Sequence, residues 1–182
     1  MNFREFLNKL IYGGGVFFDL TKWLIVIVIV FILLNTFWIS VFVVDGLSME
    51  PYLHDRELVL WNPNSYDKTG PGRGDIIVMN YPGDPKHKKY VKRIVGLPNE
   101  RVDLYDGHVY IDKKILSEDY LYVDTETDPP GTWQLGGDQY FVLGDNRPDS
   151  SDSRYFGAVE RRFILGRALT VIYPRIWIIR DM

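Results

Sequence analysis

The sequence predicts a mainly β domain behind a single N-terminal transmembrane helix. Three observations carry that prediction. Residues 23–44 form a run of 22 without a charge, close to the roughly 20 that a helix needs to cross the hydrocarbon core of a bilayer. After residue 45 the apolar residues come in short β-branched runs bounded by Pro, Gly and Asn clusters, the mark of strands. No long stretch of that remainder keeps a helical period. A chain of 182 residues allows one ordinary domain plus an appendage. Three segments are therefore expected: 1–22 cytoplasmic, 23–44 transmembrane and 45–182 extracytoplasmic.

Taken in order, Phe3, Phe6, Leu7, Leu10 and Ile11 are spaced as one apolar helix face, with Arg4, Glu5, Asn8 and Lys9 on the other. Such a helix suits either a membrane surface or a plain cytoplasmic tail. Gly13, Gly14 and Gly15 end it. In the uncharged run, Asn35, Thr36 and Ser40 are the only clearly polar side chains. A cleaved signal peptide would need a shorter apolar region and small residues of the Ala-x-Ala kind after it. No alanine precedes Ala158, so the run reads as a retained anchor. Arg4, Lys9 and Lys22 lie before it, which places the N-terminus in the cytoplasm and the remainder outside the cell membrane.

Strands are expected at 57–61, 75–79 and 90–95, then at 102–105 and 108–111 joined by Asp106-Gly107, a strong hairpin signal. Residues 125–137 read as a loop, with further strands at 139–143 and 163–173. The apolar residues 176–179 are too few to span a bilayer and read as a buried strand.

Composition removes several chemistries. The absence of cysteine excludes disulfides, cysteine proteases and cysteine-bound metal. A formal charge of −3 argues against nucleic-acid binding. The three histidines lack metalloprotease spacing, and no nucleophile elbow, P-loop or dinucleotide fingerprint occurs. His54 and His87 read as solvated surface residues, so if Ser48 is an activated nucleophile rather than a linker serine, a lysine is the remaining base. A lysine serves only as the neutral amine, which needs a pKa about three units below its usual value of about 10.4. Burial among apolar groups does this. Lys92, among Tyr90, Val91, Ile94 and Val95, is either that base or a solvated edge charge. Residues 144–154 carry a density of Asp, Asn, Ser and Arg that suits either a packed hydrogen-bond network or a solvated turn.

Four stretches together decide among these readings: Ser48-Met49-Glu50-Pro51-Tyr52-Leu53 after the apolar run, residues 73–78, residues 90–98 and the loop from Gly144 to Gly157. In this order and spacing they resemble bacterial type I signal peptidase, over roughly residues 23–173. The resemblance implies a Ser/Lys protease with a β-rich catalytic core shared with LexA-type repressors. It makes Ser48 the nucleophile, Lys92 the general base and Ser150 the serine that hydrogen-bonds the lysine amine. Asp145, Arg93, Asp152 and Arg154 match the supporting polar network, and the backbone N–H of Ser48 matches an oxyanion donor. The implied partners are preprotein signal peptides and the lipid bilayer, with no nucleic acid, metal or cofactor.

The chain departs from the family pattern in places. Gly46 stands where some members offer a second oxyanion donor, a serine hydroxyl. Tyr52 stands where threonine is common, and Asn99-Glu100 replaces Gly-Asp. About 45 residues separate Pro98 from Gly144, so any accessory β region, at about 100–138, is small. Two alternatives stay open: a specialised or self-cleaving Ser/Lys peptidase, or a non-enzymatic anchored β domain with an exposed Lys92 far from Ser48. The lack of an Ala-x-Ala sequence near the anchor argues against self-cleavage.

Overall fold

Among the described residues, backbone pairing is antiparallel wherever two strands meet. The computed structural model describes residues 19–33, 40–84, 88–174 and 176–179. Contacts divide the chain into two compact units at Ile39/Ser40.

In the first unit, residues 19–33 are helical (α1) with every side chain exposed. The exposed residues include Leu20, Trp23, Leu24, Ile25, Phe31 and Leu33. Among the described residues no helix is long and apolar enough to cross a membrane. The expected amphipathic helix at 3–11 lies outside the described residues.

The second unit holds an eight-stranded and a four-stranded sheet. The larger is built from β1 (Ser40–Val43), β2 (Leu58–Asn62), β3 (Ile76–Asn80), β4 (Lys89–Gly96), β9 (Gln139–Leu143), β10 (Val159–Glu160), β11 (Ile164–Tyr173) and β12 (Trp177–Ile178). Its order is β1-β2-β11-β3-β4-β9-β10, with β12 on β11. The smaller, in the order β7-β6-β5-β8, comprises β5 (Arg101–Tyr105), β6 (His108–Ile111), β7 (Lys114–Ile115) and β8 (Gly131–Gln134). The one α-helix described in this unit, α2 (Ser153–Phe156), is a single turn capped by the Asp152 side chain, which accepts from Arg154 N–H.

The expected strands are present within a residue or two, and Asp106 and Gly107 turn the β5–β6 hairpin at positive φ. Three expectations are corrected. Residues 40–43, assigned to the transmembrane run ending at Val44, form β1 and pair residue for residue with β2. An uncharged β-branched stretch satisfies a sheet edge as well as a bilayer, and pairing with β2 decides between them. The loop expected over 125–137 contains β8, because Thr132 and Trp133 find pairing partners on β5. The C-terminal strand forms, but Ile176 and Ile178 are exposed; its neighbour Ile179 is buried in the apolar cluster with Met49, Leu53, Ile76 and Val171.

Candidate active site

Ser48 lies five residues past the end of β1, in a turn flanked by apolar side chains. Met49 and Leu53 drop into the core beside it. The turn is tied to the strands by Val44 N–H to Glu57 O and Gly46 N–H to Asp55 Oδ1. Gly46 has φ of 102°, a region that L side chains avoid. A Cβ there would meet nothing within 4 Å. Backbone conformation, rather than lack of room, therefore disfavours a serine at this position.

Lys92 sits in the middle of β4, opposite Ile77 of β3. It is 2% exposed, and its Nζ lies 2.7 Å from Ser48 Oγ. Burial pushes the ammonium down from 10.5 to about 8. Asp152, Asp145 and Asp149 pull it partly back up, while Arg154 pushes it lower. The solvated-charge reading of Lys92 thus fails.

The remaining expected residues surround this pair. Arg93 donates from Nε and Nη2 to the two oxygens of Asp145 at 2.9 and 2.7 Å, and from Nη1 to Gly74 O. Its guanidinium is sandwiched between Tyr120 at 4.0 Å and Tyr52 at 4.7 Å, so the unexpected Tyr52 supplies one face of a cation–π stack. Asp152 accepts from Arg154 Nε and Nη2, each at 2.8 Å, and from Gly144 N–H at 3.0 Å. Arg154 also donates to Arg147 O and Ser150 O. These charges are within 8% of full burial, which only paired, hydrogen-bonded groups tolerate.

Ser150 departs from its expected place. Its Oγ is buried and makes no hydrogen bond among the described residues, so the expected bond to the Lys92 amine is not formed. Lys92 Nζ instead contacts Ser48 Oγ. Ser150 packs against Gly144 beside the Ser48 carbonyl: a Cβ on Gly144 would lie 2.1 Å from Ser150 Oγ and 2.4 Å from Ser48 O.

Sequence reasoning missed several site residues. Asn146 N–H donates to Ser48 O at 3.1 Å and Asn146 Nδ2 to Leu47 O at 3.1 Å. These bonds turn the carbonyls of Leu47 and Ser48 toward the 144–146 loop. Arg147, 1% exposed, pairs with Glu118. Asn146 and Arg147 lie inside the polar loop already singled out, but Glu118 and Tyr120 carried no signal. Beside Ser48 opens a cleft of about 530 Å³, lined by residues 42–49 and 88–92 together with Asp149 and Ser151. Its walls are the end of the edge strand β1 and the part of β4 that has β3 on one side and no strand on the other among the described residues.

Comparison with known proteins points to one family. Residues 17–173 match the family model "Signal peptidase, peptidase S26". A signal peptidase I of Bacillus amyloliquefaciens is 39% identical over 166 residues, covering 86% of this chain and 88% of its own. A probable signal peptidase I of Synechocystis is 37% identical over 164 residues, covering 86% and 73%. A solved signal peptidase I from Enterococcus faecalis aligns with 35% identity and a TM-score of 0.48 over 54% of this chain and 97% of that one. The chain belongs to the signal peptidase family, peptidase S26.

Proposed function

We propose that the protein is a membrane-anchored endopeptidase that removes N-terminal signal peptides from exported preproteins with a Ser48/Lys92 dyad. The observation that carries this reading is the 2.7 Å separation of Lys92 Nζ from Ser48 Oγ with Lys92 buried. A non-enzymatic anchored domain requires an exposed Lys92 far from Ser48, and neither condition is met.

As the neutral amine, Lys92 accepts the Ser48 hydroxyl proton while Oγ attacks the scissile carbonyl. The tetrahedral oxyanion forms next to the Ser48 N–H, which donates to no acceptor among the described residues and is free to stabilise it. Collapse of the intermediate breaks the C–N bond, and the Lys92 ammonium gives its proton to the leaving amine. Lys92 then takes a proton from water, whose oxygen attacks the ester, and returns it to Ser48 Oγ as the ester C–O bond breaks and the acyl chain leaves as the carboxylic acid. Asp145, Arg93, Asp152 and Arg154 act on this chemistry by holding Lys92 and the 144–154 loop in place.

The cleft supports an extended peptide as substrate. Residues 89–91 and the outer edge of β1 offer unpaired backbone groups to a strand laid between them. Anchoring is supported by the 17 uncharged residues 23–39 before β1, at the short end of the roughly 17–25 a spanning helix uses, and by the exposed apolar surface of α1. With Arg4, Lys9 and Lys22 before it, the catalytic domain faces the outside of the cell membrane. Detergent-solubilised protein is expected to cleave a preprotein at an Ala-x-Ala site. Ser48→Ala and Lys92→Ala are each expected to lower kcat by about ten-thousandfold or more, and retention of most activity by Lys92→Ala contradicts the dyad.

A further inference from the structure

Within that Ser/Lys reading, we propose that residues 117–128, which join β7 to β8 of the small sheet, position the nucleophile, with Glu118 and Tyr120 as the positioning residues. The contacts run unbroken from this segment to Ser48. Glu118 accepts from both Nη atoms of Arg147, one of the bonds at 3.2 Å, and Thr127 Oγ1 accepts from Arg147 Nη1. Arg147 Nε in turn donates to Gly144 O at 3.1 Å. The Gly144 N–H is held by Asp152, so the peptide groups on both sides of Gly144 are held by charged side chains.

Gly144 is in van der Waals contact with the Ser48 carbonyl, and Asn146, two residues on, binds the carbonyls of both Leu47 and Ser48. The backbone that aims Ser48 Oγ at Lys92 therefore rests on 144–146, and 144–146 rests on Arg147. Tyr120 ties the second half of the arrangement to the same carboxylate. Its hydroxyl donates to Glu118 Oε1 at 2.6 Å, while its ring covers the Arg93 guanidinium that pairs with Asp145.

A surface strut has no need of a fully buried guanidinium. Arg147 is 1% exposed, and without Glu118 its charge lacks a carboxylate partner. A buried cation left this way draws its other acceptors toward itself, and one of these is Gly144 O. The displacement reaches Ser48, whose distance and angle to Lys92 decide the rate.

The test uses the full-length protein in detergent with a peptide carrying an Ala-x-Ala site. Glu118→Gln keeps the size and removes the charge, and Tyr120→Phe removes only the hydroxyl. For Glu118→Gln, kcat is expected to fall about 10- to 100-fold with KM changed by less than about twofold. Tyr120→Phe is expected to fall by a smaller factor, and Glu118→Asp to recover part of the loss by restoring the charge. Rates are read well below each variant's melting midpoint; should Glu118→Gln fail to fold, Tyr120→Phe carries the test. Ser48→Ala and Lys92→Ala are assayed beside them. Activity in either of these overturns the Ser/Lys reading and the inference with it. If both are inactive while Tyr120→Phe and Glu118→Gln keep kcat within about twofold, or change KM alone, the dyad stands and the positioning role is wrong.

Discussion

The two sheets of the second unit are built by opposite rules. The four-stranded sheet is held by an apolar cluster of Val102, Leu104, Val109 and Ile111 packed against Val95, Leu135 and Phe141. Among the buried charged and polar residues, only Asp103 comes from its strands. The larger sheet and the loop leaving β9 bury Lys92, Arg93, Asp145, Arg147, Asp152 and Arg154 together. Replacing buried ion pairs by well-packed apolar residues is often neutral or stabilising, so folding alone does not call for these charges. Charge is buried where the proposed reaction needs fixed dipoles and a perturbed lysine, and left out where the sheet has only to hold itself together.

Substitutions in the two regions should therefore separate stability from catalysis. Asp145→Asn strips Arg93 of its carboxylate and is expected to cost about 3–5 kcal/mol of stability by denaturant titration, together with a loss of kcat at conditions where the variant is folded. Leu104→Ala in the small sheet is expected to cost about 2–5 kcal/mol with kcat per folded molecule unchanged. If Leu104→Ala lowers kcat as Asp145→Asn does, the contrast is wrong.

Gly144→Ala sharpens the boundary between the two effects. Its Cβ would sit 2.1 Å from Ser150 Oγ and 2.4 Å from Ser48 O. Moving Ser48, the proposed nucleophile, by even part of an ångström is expected to lower kcat about 100-fold, measured against a KM that stays near its original value. Lys92→Met should do the reverse to stability of what it does to activity. Because the folded-state pKa is lowered from 10.5 to about 8, the folded protein bears the full cost of the buried ammonium below pH 8. Between about 8 and 10.5 only the unfolded chain holds that proton, so wild-type stability rises with pH. Methionine removes the cost, and at neutral pH the variant is expected to be inactive yet more stable, by at most on the order of 3 kcal/mol.

Much of this was legible in the sequence, for identifiable reasons. Strand positions followed from β-branched runs, and the β5–β6 hairpin from Asp106-Gly107. That Ser48 and Lys92 meet, with Arg93, Asp145, Asp152 and Arg154 around them, followed from four ordered stretches whose likeness to a known family singled them out. What escaped was set by tertiary pairing. Residues 40–43 are as apolar as the run before them, and only β2 distinguishes an edge strand from a membrane span. Glu118 and Tyr120 look like any solvated acid and aromatic until Arg147 and Arg93 are placed beside them. Ser150 was expected to bond the lysine amine, yet its hydroxyl makes no hydrogen bond among the described residues while Lys92 Nζ lies against Ser48.

In the proposed mechanism Lys92 acts as the neutral amine toward Ser48. The most direct measurement is the pH dependence of kcat/KM for peptide cleavage by the detergent-solubilised protein. It is expected to rise through a single ionisation near pH 8, the value to which burial lowers Lys92. A limb at about 10.4, the ordinary lysine value, or at about 6.5, that of a histidine, would contradict it.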